Sequence, residues 1–245
     1  MRAMVLAAGL GTRLRPLTDE RPKALVEVGG RTMLEITLTR LRDFGVHDVI
    51  VNAHHHADML VDYLRRNSFG MNIAVSREDV LLDTGGGLKK AAWFFQDSDG
   101  PFLLHNVDVL SFIDLGRMAE AHRERNALAT LAVQSRSSTR QLLFDENLRL
   151  CGRRTKGQVA DEIVRPFRES TPLAFAGIHV ISPRIFEQMT EDGVFSIITK
   201  YLRLASEGEK IMGFRADQYS WRDLGTIESV RAAEEDIRKG AMRVG

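Results

Sequence analysis

Short apolar runs rich in Val, Ile and Leu recur along the first half of the chain, at AMVLAA (3–8), DVIVNA (48–53), NIAVS (72–76), PFLLHN (101–106) and ALATLAV (127–133). Runs of this length, set off by polar and turn residues, predict buried strands. Between them, apolar positions fall at helical spacing over 32–44, 57–67, 86–95 and 114–125. Thr32 and Glu35 stand at the spacing of a capping box, and Thr84 precedes the third helix. Gly45 and Gly70 follow helix ends, where glycine adopts positive φ at no steric cost. Strand and helix alternating in this way predict right-handed crossovers and a mostly parallel sheet with helices on both faces.

The pattern changes between about 134 and 182, where RQLLFDE, LRLCGR and PLAFAGIHVIS read as an antiparallel excursion joined to the same sheet. Helical periodicity returns at 194–206 and 227–239, with the strand-like KIMGFRA between them. Trp93, Phe94 and Phe95 form an aromatic cluster expected in the core. The chain has no Pro- or Ser-rich linker, no low-complexity segment and no repeat, so one mixed α/β domain over 1–245 fits better than two.

Composition narrows the classes. The 245 residues carry 34 Lys and Arg against 33 Asp and Glu, a net charge of +1, with 44% hydrophobic and 27% charged positions. That is the make-up of a globular chain, and it lacks the surplus of cations a general nucleic-acid binder needs. MRAMVLAAGL imitates a secretory signal, but Arg13 and Arg15 follow at once, so a first strand is expected instead. No stretch approaches the roughly 18–20 apolar residues of a membrane span. A single cysteine, Cys151, excludes an internal disulfide and a Cys-based zinc site, and the reducing cytoplasm is the expected setting.

The strongest chemical signal is LAAGLGTRLRPLT (6–18), a glycine turn directly after the first strand, where open α/β sheets bind nucleotides. Leu14 stands where a dinucleotide fingerprint needs its third glycine, and Asn52 where its ribose-binding acid belongs; no Walker A sequence occurs. Arg13, Arg15, Arg21 and Lys23 instead place four cations within eleven residues of this loop. A triphosphate carries about four negative charges, and such a cluster beside a glycine turn suits it. Two further signals are carboxylates. PFLLHNVDVL puts Asn106 and Asp108 at the carboxyl edge of a strand, and SWRDLGTIES puts Asp223 before a Gly-Thr turn into the last helix. Thr226 is expected to cap that helix, although Ser229 stands where a full capping box wants Glu. Spacing alone does not show that 108 and 223 meet.

LAAGLGTRLRPLT followed by RPKALVEVGG closely resembles the signature of the sugar-1-phosphate nucleotidylyltransferases, and the resemblance extends from residue 3 to about 230. It implies a Rossmann-like domain, with its nucleotide-binding part at about 1–110 and its sugar-binding part at about 111–240. The implied reaction converts a nucleoside triphosphate, UTP or GTP, and a sugar 1-phosphate into a nucleotide-sugar and pyrophosphate by direct in-line displacement. Leu6, Ala7, Ala8 and Gly9 would border the base, and Gly11, Thr12 and Arg13 would line the triphosphate. Lys23 would reach the phosphates of both substrates. Asp108 and Asp223 would hold Mg2+, with Asn106 beside the nucleotide. TGGGLKKA (84–91) would place Thr84, Gly85 and Gly86 against the base and ribose, and FAGIHV (175–180) would place Gly177 against the sugar.

The chain departs from the pattern at NVD (106–108), where glycine is commoner than Val107, and at Val164-Arg165-Pro166, where relatives carry a sugar-phosphate lysine. Arg165 is the expected substitute, although a guanidinium and an ammonium differ in geometry. The run His54-His55-His56 is expected in a loop, since consecutive side chains diverge and rarely share one metal. Some relatives add a left-handed β-helix; the chain ends at Gly245, so none is expected. The alternative function is a catalytically silent homologue that binds a nucleotide or sugar phosphate. The sequence does not encode the oligomeric state.

Overall fold

The computed structural model describes residues 1–240, so the last five residues of the expected 1–245 domain lie outside the described residues. Strand β1 (Arg2–Leu6) is followed by the glycine turn, two single 3-10 turns at Thr12–Leu14 and Lys23–Leu25, and a small hairpin of β2 (Glu27–Val28) and β3 (Arg31–Thr32). Helix α1 (Met33–Asp43) starts on Thr32, whose side chain accepts the Glu35 N–H. The Glu35 carboxylate turns to Arg31 instead, so only half of the expected capping box forms. Then come β4 (Asp48–Ala53), α2 (Ala57–Arg66), β5 (Asn72–Arg77) and α3 (Asp83–Lys90). The chain continues through β6 (Phe102–Asn106), β7 (Val109–Ser111), α4 (Leu115–Glu124) and β8 (Ala129–Gln134). The antiparallel excursion is β9 (Arg140–Phe144), β10 (Leu150–Thr155), β11 (Glu162–Ile163) and β12 (Thr171–Ile181). Helix α5 (Ile197–Ser206), β13 (Ile211–Arg215), β14 (Trp221–Asp223) and α6 (Ile227–Arg238) complete it.

The main sheet runs β11-β10-β9-β12-β6-β1-β4-β5, with β8 on β12 and β13 on β8. Strands β6, β1, β4 and β5 are mutually parallel, and β12 joins β6 antiparallel. The mixed α/β sheet with helices on both faces is the architecture expected from the sequence. Its consequence for function is positional: the carboxyl ends of β1, β4, β5 and β6 open on one edge. Neighbouring residues of β1 face opposite ways, Ala3 and Val5 into one buried cluster with α1 and α6, Met4 into another with α3 and α5.

Three local expectations change. Phe95 is core, stacked on Phe102 with ring centroids 4.1 Å apart, but Trp93 is 52% exposed, because the 3-10 turn at Ala92–Phe95 cannot bury three consecutive side chains on one side. Helix α3 begins at Asp83, so Thr84 lies inside its first turn, and its hydroxyl accepts the Ile197 N–H of α5. Ser229 completes the capping box of α6, its hydroxyl taking the Thr226 N–H while Thr226 accepts the Ser229 N–H.

Candidate active site

The glycine turn is fixed by its own chemistry. Gly11 has φ 65°, and a Cβ there would lie 2.8 Å from Thr18 Cγ2, while the Thr18 hydroxyl donates to the Gly11 carbonyl. Asn52, at the end of β4, accepts the Ala7 N–H on its Oδ1 at 2.7 Å and donates from Nδ2 to Glu78 Oε1 at 2.7 Å. Glu78 Oε2 in turn accepts the Leu82 N–H ahead of α3. Both side chains are buried, so one chain of hydrogen bonds holds the first turn, β4 and the start of α3 in register.

Over these strand ends lies a cleft of about 430 Å³ lined by Leu6, Ala8, Gly9, Lys23, Asn52, Glu78, Leu81, Asp83, Thr84, Asn106, Val107, Asp108 and Val194. A larger hollow of about 610 Å³, between residues 16–27 and α6, lies off the strand ends. At the rim of the cleft, Lys23 Nζ is paired with Asp108 Oδ2, both side chains largely buried. The segments that carry the two distant aspartates are neighbours. Strand β14 pairs with β7, setting Asp223 opposite Val109, and the Leu224 N–H donates to the Asp108 carbonyl at 2.7 Å. Asp223 Oδ1 accepts the Gly225 N–H at 2.6 Å. A Cβ built on Gly225 would lie 2.6 Å from Asp223 Oδ1 and 2.7 Å from Arg13 Nη2, which brings Arg13 to the same point. Arg13, Lys23, Asp108 and Asp223 thus converge from residues half the chain apart.

The other expected site residues divide, with Leu6, Ala8, Gly9, Thr84 and Asn106 on the cleft and the rest elsewhere. Gly9 has no atom within 4 Å of a built Cβ and faces the cleft. Ala7 is behind it, its N–H already used by Asn52. Gly85 and Gly86 do not line the cleft. Their N–H groups donate to the Phe195 carbonyl, and a Cβ would meet the Phe195 ring at 2.5 Å or the Gly193 carbonyl at 2.3 Å. These glycines admit the protein's own 193–195 segment, and Asp83 and Thr84 face the cleft in their place. Gly177 has φ 76°, and a Cβ would strike Val109 and Asn106. Arg165 lies apart from the converging set, its guanidinium bound to Asp145 in a separate hollow with Arg149 and Arg168. Only His54 turns away, to the Glu78 carbonyl; contrary to expectation the His55 and His56 rings lie 4.1 Å apart and reach the adjacent carbonyls of Thr18 and Asp19.

Glu78 and Asp83 were missed from the sequence; the available signal was their place between the end of β5 and the TGGG turn. His105 adjoins Asn106 but is fully buried, and burial with the Arg40 charge lowers its pKa to about 4.

A family model described as nucleotidyl transferase matches residues 2–240. The chain belongs to the nucleotidyl transferase family. It is 36% identical over 247 residues to the N-acetylmuramate alpha-1-phosphate uridylyltransferase of Caulobacter vibrioides, covering 95% of each chain. Identity is 26% to the D-glycero-alpha-D-manno-heptose 1-phosphate guanylyltransferase of Aneurinibacillus thermoaerophilus, over 97% of this chain and 99% of that one. Against the UTP--glucose-1-phosphate uridylyltransferase of Synechocystis it is 28%, over 93% of this chain but 61% of the relative. Among solved structures, HddC from Yersinia pseudotuberculosis complexed with GMP-PN gives a TM-score of 0.78 at 22% identity, covering 96% of this chain and 99% of that one. UDP-glucose pyrophosphorylase from Acinetobacter baumanii gives 0.77 at 17%, covering 98% of each chain. These likenesses establish the shared fold, and the family membership makes the chain a nucleotidyltransferase, as the first turn implied.

Proposed function

We propose that the nucleotidyltransferase joins a nucleoside triphosphate to a sugar 1-phosphate, giving a nucleotide-sugar and pyrophosphate. The observation that carries this reading is the meeting of Arg13, Lys23, Asp108 and Asp223 at the carboxyl edge of the sheet, beside a cleft of nucleotide size. A sugar-phosphate oxygen attacks the α-phosphorus. As that bond forms, the bond to the β-phosphate breaks and its electron pair leaves with pyrophosphate. Arg13 and Lys23 neutralise charge on the phosphates, a task of positioning and electrostatics. The attacking phosphate is ionised near neutral pH, so no general base is needed. His105, neutral and buried, is not placed to act as one.

The site suits Mg2+. The pairing of β14 with β7 brings the Asp108 and Asp223 segments together beside the phosphate-facing cations. Mg2+ is commonly held by one or two carboxylates with substrate phosphates and water. Asp108 and Asp223 would hold it, and it would neutralise phosphate charge. The free buried thiol of Cys151 agrees with a cytoplasmic setting, and no described helix is long and apolar enough to cross a membrane.

The Caulobacter relative makes UTP with N-acetylmuramate 1-phosphate the first pair to test, and GTP with heptose or mannose 1-phosphate the second. Pyrophosphate release is measured for four triphosphates against a panel of sugar 1-phosphates with Mg2+. Turnover with one pair, lost in Asp108→Ala and in Asp223→Ala without loss of fold, is the expected result. Tight nucleotide binding with no turnover anywhere in the matrix would instead establish the silent homologue.

A further inference from the structure

With Arg165 bound to Asp145, the substitute expected for the family's sugar-phosphate lysine is committed elsewhere, and the acceptor side of the site needs another cation. Arg136 lies two residues beyond β8, outside every motif in the sequence. Its guanidinium sits 3.9 Å from the ring centroid of Trp221, and its Nη2 donates to the Phe175 carbonyl at 2.7 Å. Trp221 is fixed beneath it by an Nε1–H bond to the Ala176 carbonyl at 2.7 Å. Trp221 and Asp223 are alternate residues of β14 and therefore share a face. The carbonyls of Phe175 and Ala176 immediately precede Gly177, where β12 breaks register with β8 and the chain takes positive φ.

We infer that Arg136, stacked on Trp221 and facing Asp223, binds the phosphate of the incoming sugar 1-phosphate. This rests on the function proposed above. Three features support it. A guanidinium has five N–H donors in a planar fork that matches phosphate oxygens. Among the described residues Arg136 uses one for a hydrogen bond, and its buried Nε has no partner. Stacking on an indole holds the fork in one orientation before a ligand arrives, so little rotamer freedom remains to be lost on binding. Burial disfavours this charge, the nearby Asp223 carboxylate opposes that effect, and a dianionic phosphate would supply what remains. Arg13 reaches Asp223 from the side of the glycine turn and Arg136 from the side of β12, so the carboxylate stands between a donor-side and an acceptor-side cation.

The test is a kinetic comparison of wild type, Arg136→Ala and Arg136→Lys. Each is assayed for pyrophosphate release with N-acetylmuramate, glucose and mannose 1-phosphates, and melting midpoints are recorded alongside. Arg136→Ala is expected to raise the KM for the accepted sugar 1-phosphate by about 10- to 100-fold, the worth of a hydrogen-bonded charged pair. The KM for the triphosphate should stay within about twofold, and Arg136→Lys, which keeps charge but not the planar stack, should fall between. If the alanine variant does not fold, the lysine variant carries the same comparison. An unchanged sugar-phosphate KM, or an equal rise in both KM values, would overturn the assignment. Absence of wild-type turnover with every pair would strike the parent reading alone. Arg136 is then judged by binding: in a Trp93→Phe background, sugar 1-phosphates should quench Trp221 fluorescence with Arg136 present and fail to do so in Arg136→Ala. Equal quenching, or none in either protein, overturns it.

Discussion

Replacing Gly225 with alanine isolates the geometry of the site in a single methyl group. Gly225 does not need positive φ, so alanine brings no backbone strain, only the new carbon. That carbon would lie 2.6 Å from Asp223 Oδ1 and 2.7 Å from Arg13 Nη2. To regain an ordinary contact near 3.4 Å, the Asp223 oxygen must retreat by about 0.8 Å and the Arg13 nitrogen by about 0.7 Å. Asp223 cannot swing freely, because the same oxygen accepts the Gly225 N–H. Arg13 is exposed and moves more easily, so the fold should survive while the charge pattern is displaced. A misplacement approaching 1 Å costs on the order of 100-fold in rate, or about 2.7 kcal/mol of transition-state stabilisation. The assay is steady-state pyrophosphate release with the preferred pair, together with a thermal melt. A kcat/KM within threefold of wild type, with the melt unchanged, would refute the claim that Arg13 and Asp223 act together at this point.

Acid should weaken the fold before the carboxylates titrate. Burial lowers the pKa values of His105 and His122 to about 4 and of His179 to about 3, so only the unfolded chain takes up these protons below pH 6.5. Stability therefore falls as pH drops from 6.5 to 5, by up to about 1.4 kcal/mol per unit per ring, and a urea midpoint flat across that window would contradict it. Gly86→Ala should destabilise by about 1–3 kcal/mol, because its Cβ meets the Gly193 carbonyl, whereas Gly9→Ala meets nothing and should act on the triphosphate KM. Equal melting midpoints for the two variants would be the contrary result. Arg165→Ala should leave the sugar-phosphate KM unchanged while lowering the melting midpoint, since Asp145 loses its partner. A selective rise in that KM would restore Arg165 to the site.

What the sequence revealed and what it hid follow from the range of the interactions. The parallel strands were legible because each is a run apolar on both faces, and LAAGLGTRLRPLT was legible because a phosphate turn is made of consecutive residues. Asp108 and Asp223 were each visible as candidates, but their adjacency depends on the pairing of β7 with β14, which no local pattern encodes. Arg165 was chosen by its neighbours in sequence, yet its side chain finds Asp145 across the antiparallel strands. The glycines of TGGG mark a close approach, as expected, but to Phe195 and Gly193, residues more than a hundred positions later. Arg136 and Trp221 meet through the registers of two different strand pairs, and neither position carries a motif.

The long-range antiparallel pairing of β7 and β14 also has a temporal meaning. A chain emerging from the ribosome carries the glycine turn, Lys23 and Asp108 long before the second acid, Asp223, is made. On the function proposed above, a polypeptide that stopped short of β14 would lack one of the two acids assigned to the metal, together with Val230 and Ala233 of α6, which close the core beneath β1.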